Sequence, residues 1–184
     1  MKKFALVLLF MVVIFPIARA AENDVTNHPG FVDFSVLTSL VSAEPTVEIS
    51  LKAPLLSMMT NLIREEEAEA ANFISKLMRV TVNVFDSQDI DVDEISTSME
   101  TVASRLDEQG WERVVRVRED DEHVDIYFRI SDDAELIHGI AIMVAEPGET
   151  VLVNIVGDIN SNDIAAVGRR FDIDELSDFE SRDQ

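Results

Sequence analysis

Cysteine is absent from this 184-residue chain. That removes disulfide staples, thiolate nucleophiles and sulfur metal ligands, and with them the lipobox of a bacterial lipid anchor. Basic residues are scarce: 15 Lys and Arg face 36 Asp and Glu, a net charge of −21. A field of that sign repels phosphate backbones and anionic lipid surfaces, so nucleic acid is a poor partner. Its plain meaning is solubility; its sharper meaning is binding of cations or basic proteins. Tryptophan and tyrosine occur once each, and no G-x-S-x-G, H-E-x-x-H, Walker or dinucleotide fingerprint is present. His28, His123 and His138 lie far apart in the chain without metal-ligand spacing. The residues name no reaction, and we expect no catalytic group, metal or cofactor.

What is present starts with an address. Lys2-Lys3, the apolar run Phe4 to Ile17 and Ala18-Arg19-Ala20 have the layout of a secretory signal peptide over residues 1–20. The apolar run is shorter than the roughly 20 residues of a comfortable membrane span, and only an uncleaved signal would tie the chain to a membrane. The leader has no twin-arginine pair. The expectation is an exported protein, periplasmic or secreted, and not a lipoprotein. Losing Lys2, Lys3 and Arg19 would leave 12 basic residues against 36 acidic, a net −24.

Residues 21–30 are polar, end in His28-Pro29-Gly30 and read as a linker. Phe31, Phe34, Leu37, Leu40 and Val41 recur at helical spacing, and Thr46 to Leu51 alternates as a short strand. Pro54 suits the first turn of a helix. Two apolar stripes follow, Leu55, Leu56, Met59, Leu62 and Ile63, then Ala70, Phe73, Ile74, Leu77 and Met78, in one helix or in two jointed at Glu65 to Glu69. Val80, Val82 and Val84 form the next strand, and strand-helix-strand order favours parallel pairing. Asp93 to Gln109 is the clearest helix, with Ile95, Met99, Val102, Ala103 and Leu106 on one face and Gly110 at the C-cap. A last short helix is expected from 162 to 170, before an acidic tail.

Between Trp111 and Val156 the pattern changes to period two, a four-stranded antiparallel meander. A turn at Asp120-Asp121 sets Val117 opposite Val124, Val115 opposite Ile126, Arg116 opposite Asp125 and Glu112 opposite Arg129. A turn at Pro147-Gly148 sets Val144 opposite Val151, Ile142 opposite Val153 and Ile140 opposite Ile155. Those aliphatic residues make the inner face, to be covered by the helices around 54–79 and 93–109. The outer face would show Val114, Tyr127, Met143 and Leu152 beside Arg116, Arg118, Arg129 and His123. Apolar residues ringed by arginine are typical of interface cores, so this face is the candidate for a protein partner or a second copy. The plainer reading is a cross-strand ladder of Arg116 with Asp125 and Arg129 with Glu112.

Two stretches resemble calcium loops and fall short. Asp89-Ile90-Asp91-Val92-Asp93 has Glu100 at the twelfth place but Glu94 where glycine belongs, and Asp158 to Asn162 leads to Arg169 at the twelfth. Capping by Asn160, Ser161 or Asn162 explains the second better.

The fold class is thus a single α+β domain: a mostly antiparallel sheet, made of the meander and a strand-helix-strand unit, with helices on one face. The exported N-terminus, Gly30-Phe31-Val32-Asp33-Phe34, Thr46-Val47-Glu48-Ile49-Ser50 before Pro54, the meander and Val153-Asn154-Ile155-Val156-Gly157-Asp158-Ile159 together resemble the DUF4252 family. The domain would span residues 31–180, leaving 181–184 as an acidic tail. The resemblance implies an exported bacterial α+β domain with no assigned activity, and it carries over no catalytic residue. Members of the family are often encoded near envelope-responsive sigma and anti-sigma factors, so the resemblance implies a regulatory or interaction role. We expect a non-catalytic binding or regulatory module of the cell envelope. The alternatives are a carboxylate-dependent hydrolase, whose acids can be distant in sequence, and a calcium-binding exported protein. If the address is right, N-terminal sequencing of the protein from its native host begins at Ala21; a mature start at Met1 refutes it.

Overall fold

Pro147-Gly148 and the alternation around it set the register of the two longest strands. In the computed structural model, Gly148 takes φ +87° at the turn, and Val144–Val151, Ile142–Val153 and Ile140–Ile155 stand opposite each other as expected. The structure describes residues 25–41, 44–88, 92–119, 122–160 and 163. The strands are β1 (Val47–Lys52), β2 (Leu77–Ser87), β3 (Glu112–Arg118), β4 (His123–Ile130), β5 (Leu136–Glu146) and β6 (Gly148–Asn160). The helices are α1 (Ser35–Val41), α2 (Ala53–Ile63), α3 (Ala68–Ser75) and α4 (Val92–Glu108), preceded by a 3-10 turn at Val25–Asn27. The sheet order is β1-β2-β6-β5-β4-β3, and all five neighbouring pairs are antiparallel.

The parallel pairing expected for the first two strands is overturned: β1 and β2 are antiparallel, with Lys52 opposite Arg79. The stretch between them is two helices, joined at residues 64–67 and packed on each other. A helical hairpin returns the chain to the end it left, so the next strand must run back. The single crossover is β2–α4–β3. It joins strands that run the same way across three intervening partners, β6, β5 and β4.

The helices do not share one face, which corrects the expected layering. α4 and α1 cover the face that carries Tyr127, Ala141, Met143, Ala145 and Leu152, and they bury it fully. α2 and α3 pack at one end of the other face, over Leu77, Ile140 and Ile159. Small residues at 141 and 145 let α4 approach closely, and the stripe Ile95, Met99, Val102 and Leu106 fills the space above them. α4 ends where expected. Gly110 takes φ +77°, and Trp111 N–H donates to the Leu106 carbonyl, as in a Schellman close.

The segment before α1 is fastened to the sheet. Asn154, buried on β6, accepts from Val32 N–H (3.1 Å) and donates to the carbonyls of Gly30 (3.0 Å) and Ile140 (3.2 Å). Three bonds use up the amide and tie residues 30–32 to two strands. Gly30 and Gly139 make this possible by meeting back to back: a Cβ on Gly30 would sit 1.8 Å from the His138 carbonyl oxygen. The leader, the last helix and the acidic tail of the sequence analysis lie outside the described residues, as do Asp120-Asp121 and Asp89 to Asp91. Gly30→Ala should therefore displace the strap. Overpacking of this kind costs about 1–3 kcal/mol, read as a lower midpoint in denaturant melts. A wild-type midpoint would show the contact to be slack.

Candidate functional site

The seven residues offered as an outer interaction face do not form one. Tyr127, Met143 and Leu152 are fully buried beneath α4. Arg113 donates to the Tyr127 hydroxyl at 3.1 Å with its guanidinium 5.8 Å from the ring centre, and burial pushes that phenol's pKa up against the pull of Arg113. Arg116 and Arg118 bracket the fully buried Asp125, Nε to Oδ1 at 2.9 Å and Nη2 to Oδ2 at 2.6 Å. Both also reach Glu100 of α4, at 2.9 and 3.4 Å. The expected Arg116–Asp125 rung is present, as an internal tie between β3, β4 and α4. Glu100, the twelfth residue of the calcium-loop count, is spent on these arginines inside a helix. The other expected rung is absent: a register shift at Val114 sets Glu112 opposite Phe128, and Arg129 donates to the Ile130 carbonyl. Val114 itself is exposed on that irregularity.

The open apolar surface lies on the opposite side, where the helices had been expected. The register lays out its rows. One runs Ile49–Val82–Val153–Ile142–Ile126–Val115 across all six strands. The next is valine throughout, Val47–Val84–Val151–Val144–Val124–Val117. None of these twelve residues is buried, and the edges stand well out, with Val47 at 46%, Ile49 at 41% and Val115 at 38% exposure. Six strands at roughly 4.8 Å spacing make the rows about 24 Å long, and the two rows stand about 7 Å apart.

Both long borders of this band are defined. On one side, Leu56 of α2 and Phe73 and Ile74 of α3 cover the adjoining row, while α2 turns Met58 (54% exposed) and Leu62 (73%) to solvent. On the other side, one step past the valines, Asp86, Glu149 and Glu146 stand side by side in register. The band is an aliphatic strip with an acidic kerb. Contiguous apolar surface of this extent on a folded domain marks an interaction site more often than chance exposure.

A second constellation was not legible from spacing. His28, from the stretch read as a linker, meets His138 and Asp158 at an irregularity where Ile137 pairs Ile159 but Gly139 pairs Val156. His138 Nδ1 lies 2.7 Å from Asp158 Oδ1, and His28 Nε2 lies 3.8 Å from the same oxygen. The two rings are edge to face, with centres 5.6 Å apart. Gly30 N–H donates to His28 Nδ1 at 3.1 Å, which puts the proton of the neutral ring on Nε2, facing the carboxylate. Two of the three histidines, His28 and His138, therefore do cluster, contrary to the reading from spacing. The signal was the glycine beside each: Gly30 and Gly139 mark where two backbones meet. Asp158 pairs with histidine, and residues 164–169 of that calcium-like count lie outside the described residues. Asn160 and Asp163 exchange backbone-to-side-chain bonds at 3.0 Å each, as in a capping box, in line with the capping role given to Asn160.

Residues 42–167 match the family model described as Domain of unknown function (DUF4252). No curated protein and no solved structure matches the chain.

Burial lowers the pKa of His28 below its ordinary 6.5; Asp158 opposes the fall and His138 adds to it. With the folded value below the unfolded one, the unfolded chain takes up a proton first as pH drops. This contribution to stability is whole above 6.5 and is lost as pH falls from there toward the folded value. With EDTA present, the melting temperature should fall between pH 7 and pH 5.5, and by less in His28→Gln. An equal slope in the two proteins would show that His28 does not titrate against folding.

Proposed function

The chain belongs to the DUF4252 family, and we propose that it is an exported, non-catalytic binding module whose working surface is the aliphatic strip. The observation that carries this is the strip's shape and border. Two rows about 7 Å apart and about 24 Å long suit one α-helix, roughly 10 Å across and about 16 residues long at 1.5 Å per residue. The kerb of Asp86, Glu146 and Glu149 calls for lysine or arginine along one edge of that helix. The partner is thus an amphipathic polypeptide helix with one aliphatic face and one basic flank. Recognition of this type, an apolar helix face laid into a groove, is a recurring mode.

A second copy of the chain suits the strip less well, because each copy would bring its own acidic kerb and a net charge of −21. The hydrolase alternative gains no support from the two buried carboxylates among the described residues. Asp125 is held by Arg116 and Arg118, and Asp163 by Lys76 and Asn72.

The test uses a fluorescent 16-residue helical peptide with a leucine face and a lysine flank. It should bind, weaken with salt, and lose at least about tenfold in affinity to Ile49→Glu with Val82→Glu, a neighbouring pair across β1 and β2. A loss of one buried apolar contact at roughly 1.5–3 kcal/mol underlies that factor. Unchanged binding by a folded double variant rejects the strip. Binding seen only after removal of residues 164–184 would assign the strip to that segment instead, and dimerisation abolished by the same variant would assign it to a second copy.

A further inference from the structure

We propose that His28, His138 and Asp158 form a site for a divalent transition-metal ion of the zinc class, which bolts the N-terminal strap to the β5–β6 irregularity. The three ligand atoms lie within 4.8 Å of one another. Ligand atoms sharing a tetrahedral ion at roughly 2.0–2.1 Å stand about 3.3–3.4 Å apart. The two separations from Asp158 Oδ1, 2.7 Å to His138 Nδ1 and 3.8 Å to His28 Nε2, bracket that value. The third separation, between the two imidazole nitrogens, is at most 4.8 Å, so the rings close by up to about 1.4 Å to share the ion.

The donor set selects the metal. Two imidazoles and one carboxylate suit zinc, nickel, copper or cobalt, whereas calcium and magnesium want six or more oxygens. Both rings are largely sheltered, at 17% and 22% exposure, while Asp158 is 43% exposed and leaves a side open for a water ligand. The backbones behind the ligands are already held. Asp158 N–H donates to the Lys76 carbonyl at 3.1 Å, and Gly30 is packed on the His138 carbonyl. Little ordering is left for the ion to impose.

Loading has a local cost that makes the site recognisable. A neutral imidazole bound through Nε2 carries its proton on Nδ1, where Gly30 N–H now donates. That bond must be given up when His28 ligates. His138, bound through Nδ1, moves its proton to Nε2. The Gly30 amide is therefore a reporter that nonspecific binding to surface carboxylates would not move.

The experiment is titration of the chelator-treated full chain with Zn²⁺, in millimolar Ca²⁺ to occupy exposed acids, read by calorimetry and by the Gly30 amide resonance. One equivalent should bind and shift that resonance. His28→Gln, His138→Gln and Asp158→Asn should each weaken uptake by at least the ~10–100-fold typical of losing even an outer-shell partner. If a His138 variant fails to fold, His28→Gln on the strap carries the test alone. No saturation at one equivalent, uptake unchanged in folded His28→Gln, or a Gly30 amide that ignores Zn²⁺ overturns the assignment.

Discussion

A sheet that is apolar on both faces needs two layers of cover, and the described residues supply one and a part. α1 and α4 close the face around Tyr127, Met143 and Leu152 completely, while α2 and α3 cover one row of the other, with only Ile126 and Ile142 of the next row packed against that cluster. The strap, the strip and the buried arginine cluster all follow from that inequality. The covered face can afford polar groups because α4 and the strap bring partners to them. The uncovered face, with none to bring, is aliphatic across two full rows.

The polar groups of the covered face also give it its identity. Asp125 is matched by Arg116 and Arg118, and both reach Glu100 of α4; Asn154 is matched by the backbone of residues 30–32. Hydrophobic burial is non-directional and would let α4 sit on either face. A buried carboxylate left without its arginines would be costly, so these bonds mark which face the helix takes. Aliphatic content alone points to the wrong side, since the strip is the more uniformly apolar of the two.

That is where sequence reasoning parted from the fold. Most element types and most of the strand register were legible because each rests on local facts: period two around Pro147-Gly148, period 3.6 from Asp93, glycine at position 110; Leu77 and Met78, read as helix, open β2 instead, and Glu112 slips off Arg129. The layering was not, because alternation says that two sets of residues face opposite ways and not which set meets a helix. The apolar character of Met143 and Leu152 was visible and was taken for exposure; the alanines at 141 and 145 were the sign of a helix seat. Likewise a strand-helix-strand string looks the same with one helix or two, and only the break at residues 64–67 reverses the pairing. His28 with His138 escaped because a contact across 110 positions leaves no spacing to read.

The two sites share one corner of the molecule. Asp158, the hub of the histidine cluster, donates its amide to the Lys76 carbonyl at the junction of α3 and β2. Lys76 in turn holds Asp163, where the described chain leaves the sheet, and Asn72 of α3 bonds the same carboxylate. α3 is one of the two helices that border the aliphatic strip. The strap and α3 are thus joined through hydrogen bonds and one ion pair, without a gap. Residues 76, 158 and 163 form that connection. The strap is held on the covered face and the strip lies on the open one, so this corner joins the two sides of the sheet.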